Sequence, residues 1–94
     1  MDLEARMAAL RERFRARAGE DAERIASALA AGDLQAVHGL AHGLSGSGGT
    51  FGFPEVSADA EAVENSIDAG CGTGEVRALC DRLLARLAET AQRG

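Results

Sequence analysis

The spacing of the apolar residues constrains the fold of this chain more than any other feature of its sequence. Apolar side chains recur every three or four residues in four successive segments, at about 3–31, 34–52, 54–69 and 75–91. This spacing places them on one face of an α-helix, so each segment is predicted to be an amphipathic helix. In chain order, the residues predicted to face inward are Leu3, Met7, Leu10, Phe14, Ala18, Ala22, Ile25, Leu29, Val37, Leu40, Ala41, Leu44, Gly48, Phe51, Val56, Ala60, Val63, Ile67, Val76, Leu79, Cys80, Leu83, Leu84 and Leu87.

Short turns separate the predicted helices. Gly32 suits the left-handed position that ends a helix, and Asp33 can cap the next helix through its carboxylate. Pro54 suits the first turn of the third helix, and the glycine-rich residues 70–74 form an evident loop. Turns this short make successive helices antiparallel neighbours. The sequence therefore predicts an all-α, antiparallel up-and-down four-helix bundle, with residues 1–94 as a single domain.

The charge distribution argues against a nucleic-acid or membrane partner. The net charge is −5, and the chain contains no lysine. Binding to nucleic acid or to anionic lipid needs clustered cations. The densest basic stretch, residues 11–17, alternates arginine with other residues and so scatters its charges around a helix. We interpret that stretch as a solvated face.

The remaining composition indicates a soluble, cytoplasmic protein. The N-terminal residues are too charged for a secretory signal, and no apolar run approaches the length of a membrane span. Cys71 and Cys80 lack metal-type spacing and are expected to be free thiols. A lysine-free sequence rich in alanine and arginine further suggests a bacterial source.

The second predicted helix contains an unusual number of glycines. They are Gly39, Gly43, Gly46, Gly48, Gly49 and Gly52. Each costs about 1 kcal/mol relative to alanine inside a helix. The apolar spacing nevertheless keeps helical phase, which favours a helix over a loop for residues 34–47 and leaves the question open for 48–52.

His42 stands out on this helix. At 100° per residue it lies about 140° from Val37, on the face turned away from the apolar stripe. The small residues Gly39, Ser45, Gly46 and Gly49 surround it. The imidazole is therefore expected to protrude where another protein's surface can approach it.

These residues carry a resemblance to a known family. Residues 41–47 and 49–52 resemble the signature of the histidine phosphotransfer (HPt) domain, which has a histidine, a leucine two residues later and then small residues with two glycines. The segment 31–33 before the helix and the pair 63–64 in the third helix are also similar to the family's arrangement. The resemblance covers most of the chain, and it is most specific in residues 41–52.

The resemblance implies roles for individual residues. His42 corresponds to the phosphoacceptor, and Gly46 to the small residue that lets a partner approach. Ser45 stands where the family usually has a lysine beside the phosphoryl group, although its hydroxyl can still donate a hydrogen bond. The residues expected to form or border the docking surface are Gln35, His38, Gly39, Ser45, Gly46 and Gly49.

The resemblance also implies the partners. The expected ones are the receiver domain of a response regulator and a sensor or hybrid histidine kinase. No cofactor or metal is expected in this chain, because the receiver domain supplies the Mg²⁺. The chain has no ATP site, so it is expected to carry phosphoryl groups without kinase activity of its own.

Other interpretations of the same residues are open to test. The main alternative is an HPt-like adaptor or inhibitor that binds signalling partners without being phosphorylated, since the usual lysine is missing. His38 could be the phosphoacceptor, but its neighbour one turn on is His42 rather than a small residue. His38 and His42 could bridge a metal, but no Glu follows His38 and no third histidine or cysteine lies on that face. We expect His38 to be an ordinary solvated residue.

Overall fold

The computed structural model describes residues 2–92, which form four helices. These are α1 (Leu3–Ala30), α2 (Leu34–Thr50), α3 (Pro54–Asp68) and α4 (Thr73–Gln92). Each helix packs against its neighbours in sequence, and α4 also packs against α1, so the four form a closed ring. The predicted all-α four-helix bundle is confirmed. The predicted single domain also includes residues 1, 93 and 94, which lie outside the described part.

Glycine ends the first three helices. Gly32, Gly52 and Gly70 have φ angles of 72°, 86° and 70°, which side chains rarely adopt. At the first turn, the Gly32 N–H donates to the Leu29 carbonyl at 3.0 Å, and the Asp33 N–H to the Ala28 carbonyl at 2.9 Å. This pair of bonds is a Schellman motif, and it satisfies two of the carbonyls left over at the end of α1.

The predicted starts of α2 and α3 are also correct. Asp33 caps α2, because its carboxylate accepts a hydrogen bond from the Ala36 N–H at 3.1 Å. Pro54 is the first residue of α3. Helix α2 continues to Thr50 despite its glycines, which answers the question left open for residues 48–52. Helix α4 begins at Thr73, two residues before the expected start.

The core contains side chains from all four helices. Ile25, Val37, Val63 and Leu83 are completely inaccessible to solvent. The first turns of α1 are the exception to the predicted stripe, because Leu3 is 74% exposed and Met7 and Leu10 are only half-buried. An α1 of 28 residues is about 42 Å long, whereas the 17 residues of α2 span about 26 Å. The N-terminal turns of α1 therefore extend past the end of α2, and the prediction of a buried Leu3 is wrong.

Helices α2 and α3 approach each other closely at Gly48. A Cβ atom at this position would lie 3.1 Å from the Ser57 backbone nitrogen and 3.2 Å from the Phe53 carbonyl oxygen. The Ser57 hydroxyl also donates to the Ser45 carbonyl at 2.7 Å. The missing side chain at Gly48 allows this contact, which places α3 beside the histidines of α2.

On its other side, α3 is tied to α4 by an arginine. Arg86 donates to Asp59 at 3.0 Å and to Glu55 at 2.7 Å. The hydrogen bond to Asp59 raises the pKa of Arg86 above its usual value, and the negative charges of Asp59, Glu55 and Glu89 add to this effect. In residues 2–92, no helix is long and apolar enough to cross a membrane.

Candidate functional site

The His42 side chain projects from the middle of α2 into solvent. It is 75% exposed, as the helical wheel predicted. Its Nδ1 atom lies 2.8 Å from Oε2 of Glu64 on α3, and the Glu64 side chain is only 17% exposed. A partly buried carboxylate therefore holds one edge of the ring, while the other edge faces solvent.

This contact determines which ring nitrogen can react. An ionised carboxylate only accepts hydrogen bonds, so the Nδ1–H group of His42 donates the hydrogen bond to Glu64. In the neutral ring, Nε2 then has a free lone pair. Within residues 2–92 no group hydrogen-bonds to this Nε2 atom. The site presents an exposed ring nitrogen whose orientation is set by the contact with Glu64.

The glycines around His42 are not required by the fold. A Cβ atom added at Gly39, Gly43 or Gly46 would meet nothing within 4 Å. At Gly49 it would make an ordinary contact of 3.5 Å with the Ser57 hydroxyl. Alanine would fit at the first three positions and would stabilise the helix by about 1 kcal/mol each. Of the glycines in α2, packing requires Gly48, whereas Gly39, Gly43 and Gly46 leave open space beside His42.

A second histidine–carboxylate contact lies one helical turn away. His38 Nε2 is 2.9 Å from Asp68 Oδ1, and the His38 side chain is 32% exposed. The nitrogen itself is removed from solvent, so the expectation of an ordinary solvated His38 is wrong. Because α2 and α3 are antiparallel, His38 and His42 on one helix face Asp68 and Glu64 on the other.

The contacts of Glu64 and Asp68 with the histidines were not predicted from the sequence. Glu64 was noted only as part of the family resemblance, and Asp68 belongs to no predicted motif. Both carboxylates are distant from the histidines in sequence, and His42 and Glu64 are 22 residues apart. The matching four-residue spacing of the two pairs is a signal in the sequence, but it is informative only once α2 and α3 are known to be adjacent.

Comparison with protein families identifies the chain. A family model described as "Hpt domain" matches residues 9–93, nearly the whole length. The chain belongs to the Hpt domain family. Hpt domains carry out histidine phosphotransfer in two-component signalling. Comparison with curated proteins and with solved structures finds no match.

The position of Ser45 distinguishes this Hpt domain from the usual family pattern. Ser45 is half-buried on the side of α2 that faces α3, and its carbonyl accepts the Ser57 hydroxyl. No hydrogen bond of the Ser45 hydroxyl is present among the described residues, so its expected role as a donor stays a prediction. Gln35, which was expected at the edge of the docking surface, is exposed.

A groove between α1 and α2 lies beside the glycines of α2 in the Hpt domain. Its volume is about 540 Å³, and it opens along Gly39 and Gly43. Arg13, Arg17 and Arg24 line its α1 side, and all three are exposed. Its apolar lining consists of Leu10, Phe14, Leu40, Leu44 and Phe51. Arg13 and Arg17, which belong to the stretch predicted to be a solvated face, therefore border a concave surface that opens along Gly39 and Gly43.

Proposed function

We propose that His42 is the phosphoacceptor of this Hpt domain and that the chain relays phosphoryl groups between signalling proteins. The observation that carries the proposal is the contact of 2.8 Å between His42 Nδ1 and Glu64, which leaves Nε2 exposed with a free lone pair. His38 is the weaker candidate, because its Nε2 atom is removed from solvent beside Asp68.

The proposed step is a displacement at phosphorus. The Nε2 lone pair of His42 attacks the phosphorus of an aspartyl phosphate, and the bond from phosphorus to the aspartate oxygen breaks. The aspartate leaves with the electron pair, so no proton has to leave Nε2. The ring gains positive charge, which the Glu64 carboxylate stabilises through the Nδ1 proton. Such a transfer depends mainly on in-line positioning and electrostatic stabilisation.

The proposed partners supply the remaining chemistry. A receiver domain or a sensor or hybrid kinase delivers the phosphoryl group, and a response regulator receives it. The receiver domain holds the Mg²⁺ that neutralises the phosphoryl oxygens during transfer. The open positions Gly39, Gly43 and Gly46 allow the rim of a receiver active site to reach His42 without displacing side chains.

A phosphotransfer assay with radiolabelled phosphate tests this proposal. Wild-type protein and His42→Gln are incubated with a panel of phosphorylated receiver domains and hybrid kinases. We expect an acid-labile, base-stable label on the wild type and none on the variant. The variant should keep the circular dichroism and melting temperature of the wild type, because the exposed ring contributes little packing.

The same assay distinguishes the main alternative, an adaptor that is never phosphorylated. That function predicts stable binding to a receiver or a kinase with no label on either protein. The replacement of the usual lysine by Ser45 would then explain the absence of phosphorylation, and Ser45→Lys should restore labelling. A label that persists in His42→Gln and disappears in His38→Gln would move the phosphoacceptor to His38.

A further inference from the structure

We propose that His38, Glu64 and Asp68 form a binding site for a divalent transition-metal ion, with Zn²⁺ as the best-fitting ion. The site goes beyond phosphotransfer, because it uses a histidine and a carboxylate that the transfer step does not need. Each of the three residues offers one ligand atom, and these atoms all lie within 4.8 Å of one another.

The spacing of the ligand atoms suits such an ion. Zinc binds nitrogen and oxygen at about 2.0–2.2 Å, which puts tetrahedral ligands about 3.4 Å apart. The three ligand atoms already lie within 4.8 Å of one another, and the exposed Asp68 carboxylate is the group that would rotate to adjust these distances. Both come from one face of α3, and His38 comes from the adjacent face of α2, so two packed helices hold the three ligands.

The environment of His38 Nε2 adds to the argument for a ligand at this position. Its Nε2 atom is removed from solvent and has no hydrogen-bond partner within residues 2–92. Asp68 Oδ1 is only 2.9 Å away, but the two groups lack the alignment of a hydrogen bond. The nitrogen therefore has an ion-pair contact but no aligned hydrogen bond, and a poorly aligned contact recovers little of the free energy lost when a polar atom is buried. A metal ion on the Nε2 lone pair would satisfy it.

The chemistry of the ligands selects the type of ion. One imidazole and two carboxylates suit zinc and its neighbours in the first transition row, whereas Mg²⁺ and Ca²⁺ prefer oxygen ligands alone. The two carboxylate charges match a divalent ion. Three protein ligands leave a fourth tetrahedral position for water, which the exposed side of Asp68 allows.

Metal binding would also act on the phosphoacceptor through Glu64, a consequence that rests on the proposed function. Glu64 accepts the Nδ1 proton of His42 and is at the same time one of the three ligands. A cation on this carboxylate withdraws negative charge from it and makes it a weaker acceptor. His42 Nε2 then becomes a weaker nucleophile, so bound zinc is expected to slow phosphoryl transfer.

Calorimetric titration of tag-free, chelator-treated protein with Zn²⁺ tests the site directly. We expect one zinc ion per chain, with affinity at least tenfold lower in His38→Ala and in Asp68→Asn. Glu61→Gln is the matched control, because Glu61 is an exposed carboxylate of α3 outside the site. It should bind zinc as the wild type does. Circular dichroism confirms that each variant folds.

Three results would overturn the site. The first is wild-type zinc affinity in His38→Ala. The second is loss of binding in Cys71→Ser or in His42→Gln but not in His38→Ala, since the ion would then lie elsewhere. The third is Mg²⁺ binding as tight as that of Zn²⁺, which would indicate ordinary attraction to acidic side chains.

The coupling to transfer has its own readout. Zinc should slow phosphoryl transfer to wild type and have little effect in Asp68→Asn, whereas zinc acting on the partner would slow both. Equal inhibition of both proteins would overturn the coupling. Failure of the proposed function would be seen separately, as absence of labelling without zinc.

Discussion

Helix α3 makes charged contacts with both α4 and α2, and the two contacts differ in how exposed the partner side chain remains. Towards α4, Asp59 is 11% exposed, and its partner Arg86 also bonds to Glu55. Towards α2, Glu64 is almost as well buried, but its partner His42 is 75% exposed and keeps one nitrogen open. The first contact ties two helices together. The second orients an exposed imidazole and leaves its Nε2 atom open to solvent.

The same difference is seen in how each side contributes to stability. On the α3–α4 side, Thr90 and Asp59 are buried polar residues, and both are hydrogen-bonded. On the α2 side, Gly39, Gly43 and Gly46 make the helix less stable than alanine would, although alanine would fit at all three positions. Binding surfaces commonly keep residues that lower the stability of the fold, because function requires them. The α3–α4 face is thus tightly bonded, whereas the α2 face around His42 is left open.

The largest expected effect comes from blocking access to His42. Gly46→Arg adds a long side chain one turn from His42, and we expect it to reduce phosphoryl transfer about 100-fold through misplacement of the partner. The measurement is the transfer rate from a phosphorylated receiver. Gly46→Ala is the control and should retain most of the rate. An unchanged rate in Gly46→Arg would mean that the partner docks elsewhere.

Removing the acceptor at Nδ1 should have the next largest effect. Glu64→Ala leaves the His42 ring without its orienting contact, and we expect transfer to slow by about 10-fold to 100-fold, as for other orienting hydrogen bonds of functional histidines. Glu64→Gln, which can still accept the Nδ1 proton, should lose less. The ¹⁵N chemical shifts of His42 report the tautomer, and they should change in Glu64→Ala even without a partner.

The contact on the opposite side of α3 should affect stability and leave transfer intact. Arg86→Met leaves the buried Asp59 carboxylate without its main partner, so we expect the melting temperature to fall by several degrees. The rate of transfer at a temperature where the variant is folded should stay within twofold of wild type. A variant equally slow in transfer would show that α3–α4 packing also controls the site.

The smallest expected effects come from two alanine substitutions within α2. Gly43→Ala should raise the free energy of unfolding by up to about 1 kcal/mol, because the new methyl group meets no other atom. Gly48→Ala should lower it by about 1–3 kcal/mol, because its methyl group would press on the backbone of α3. Urea titration measures both. If both substitutions changed the free energy of unfolding in the same direction, the distinction between open and packed glycines would be wrong.

Much of this architecture was predictable because its signals are local. Gly32, Asp33 and Pro54 act within one helical turn, so their roles could be assigned without knowledge of the neighbouring helices. The exposure of His42 likewise follows from its angle to the apolar stripe of its own helix. The error at Leu3 has a different origin, because its burial depends on where the other helices end.

The sequence by itself determined the four helices, their turns and the outward position of His42, since helical periodicity and capping depend on neighbours a few residues away. Only the tertiary structure decided that Glu64 holds His42, that His38 lies out of solvent beside Asp68, and that Gly48 alone is required for packing. Those three facts depend on how α3 is rotated and how closely it approaches α2. That rotation and distance result from the packing of all four helices together.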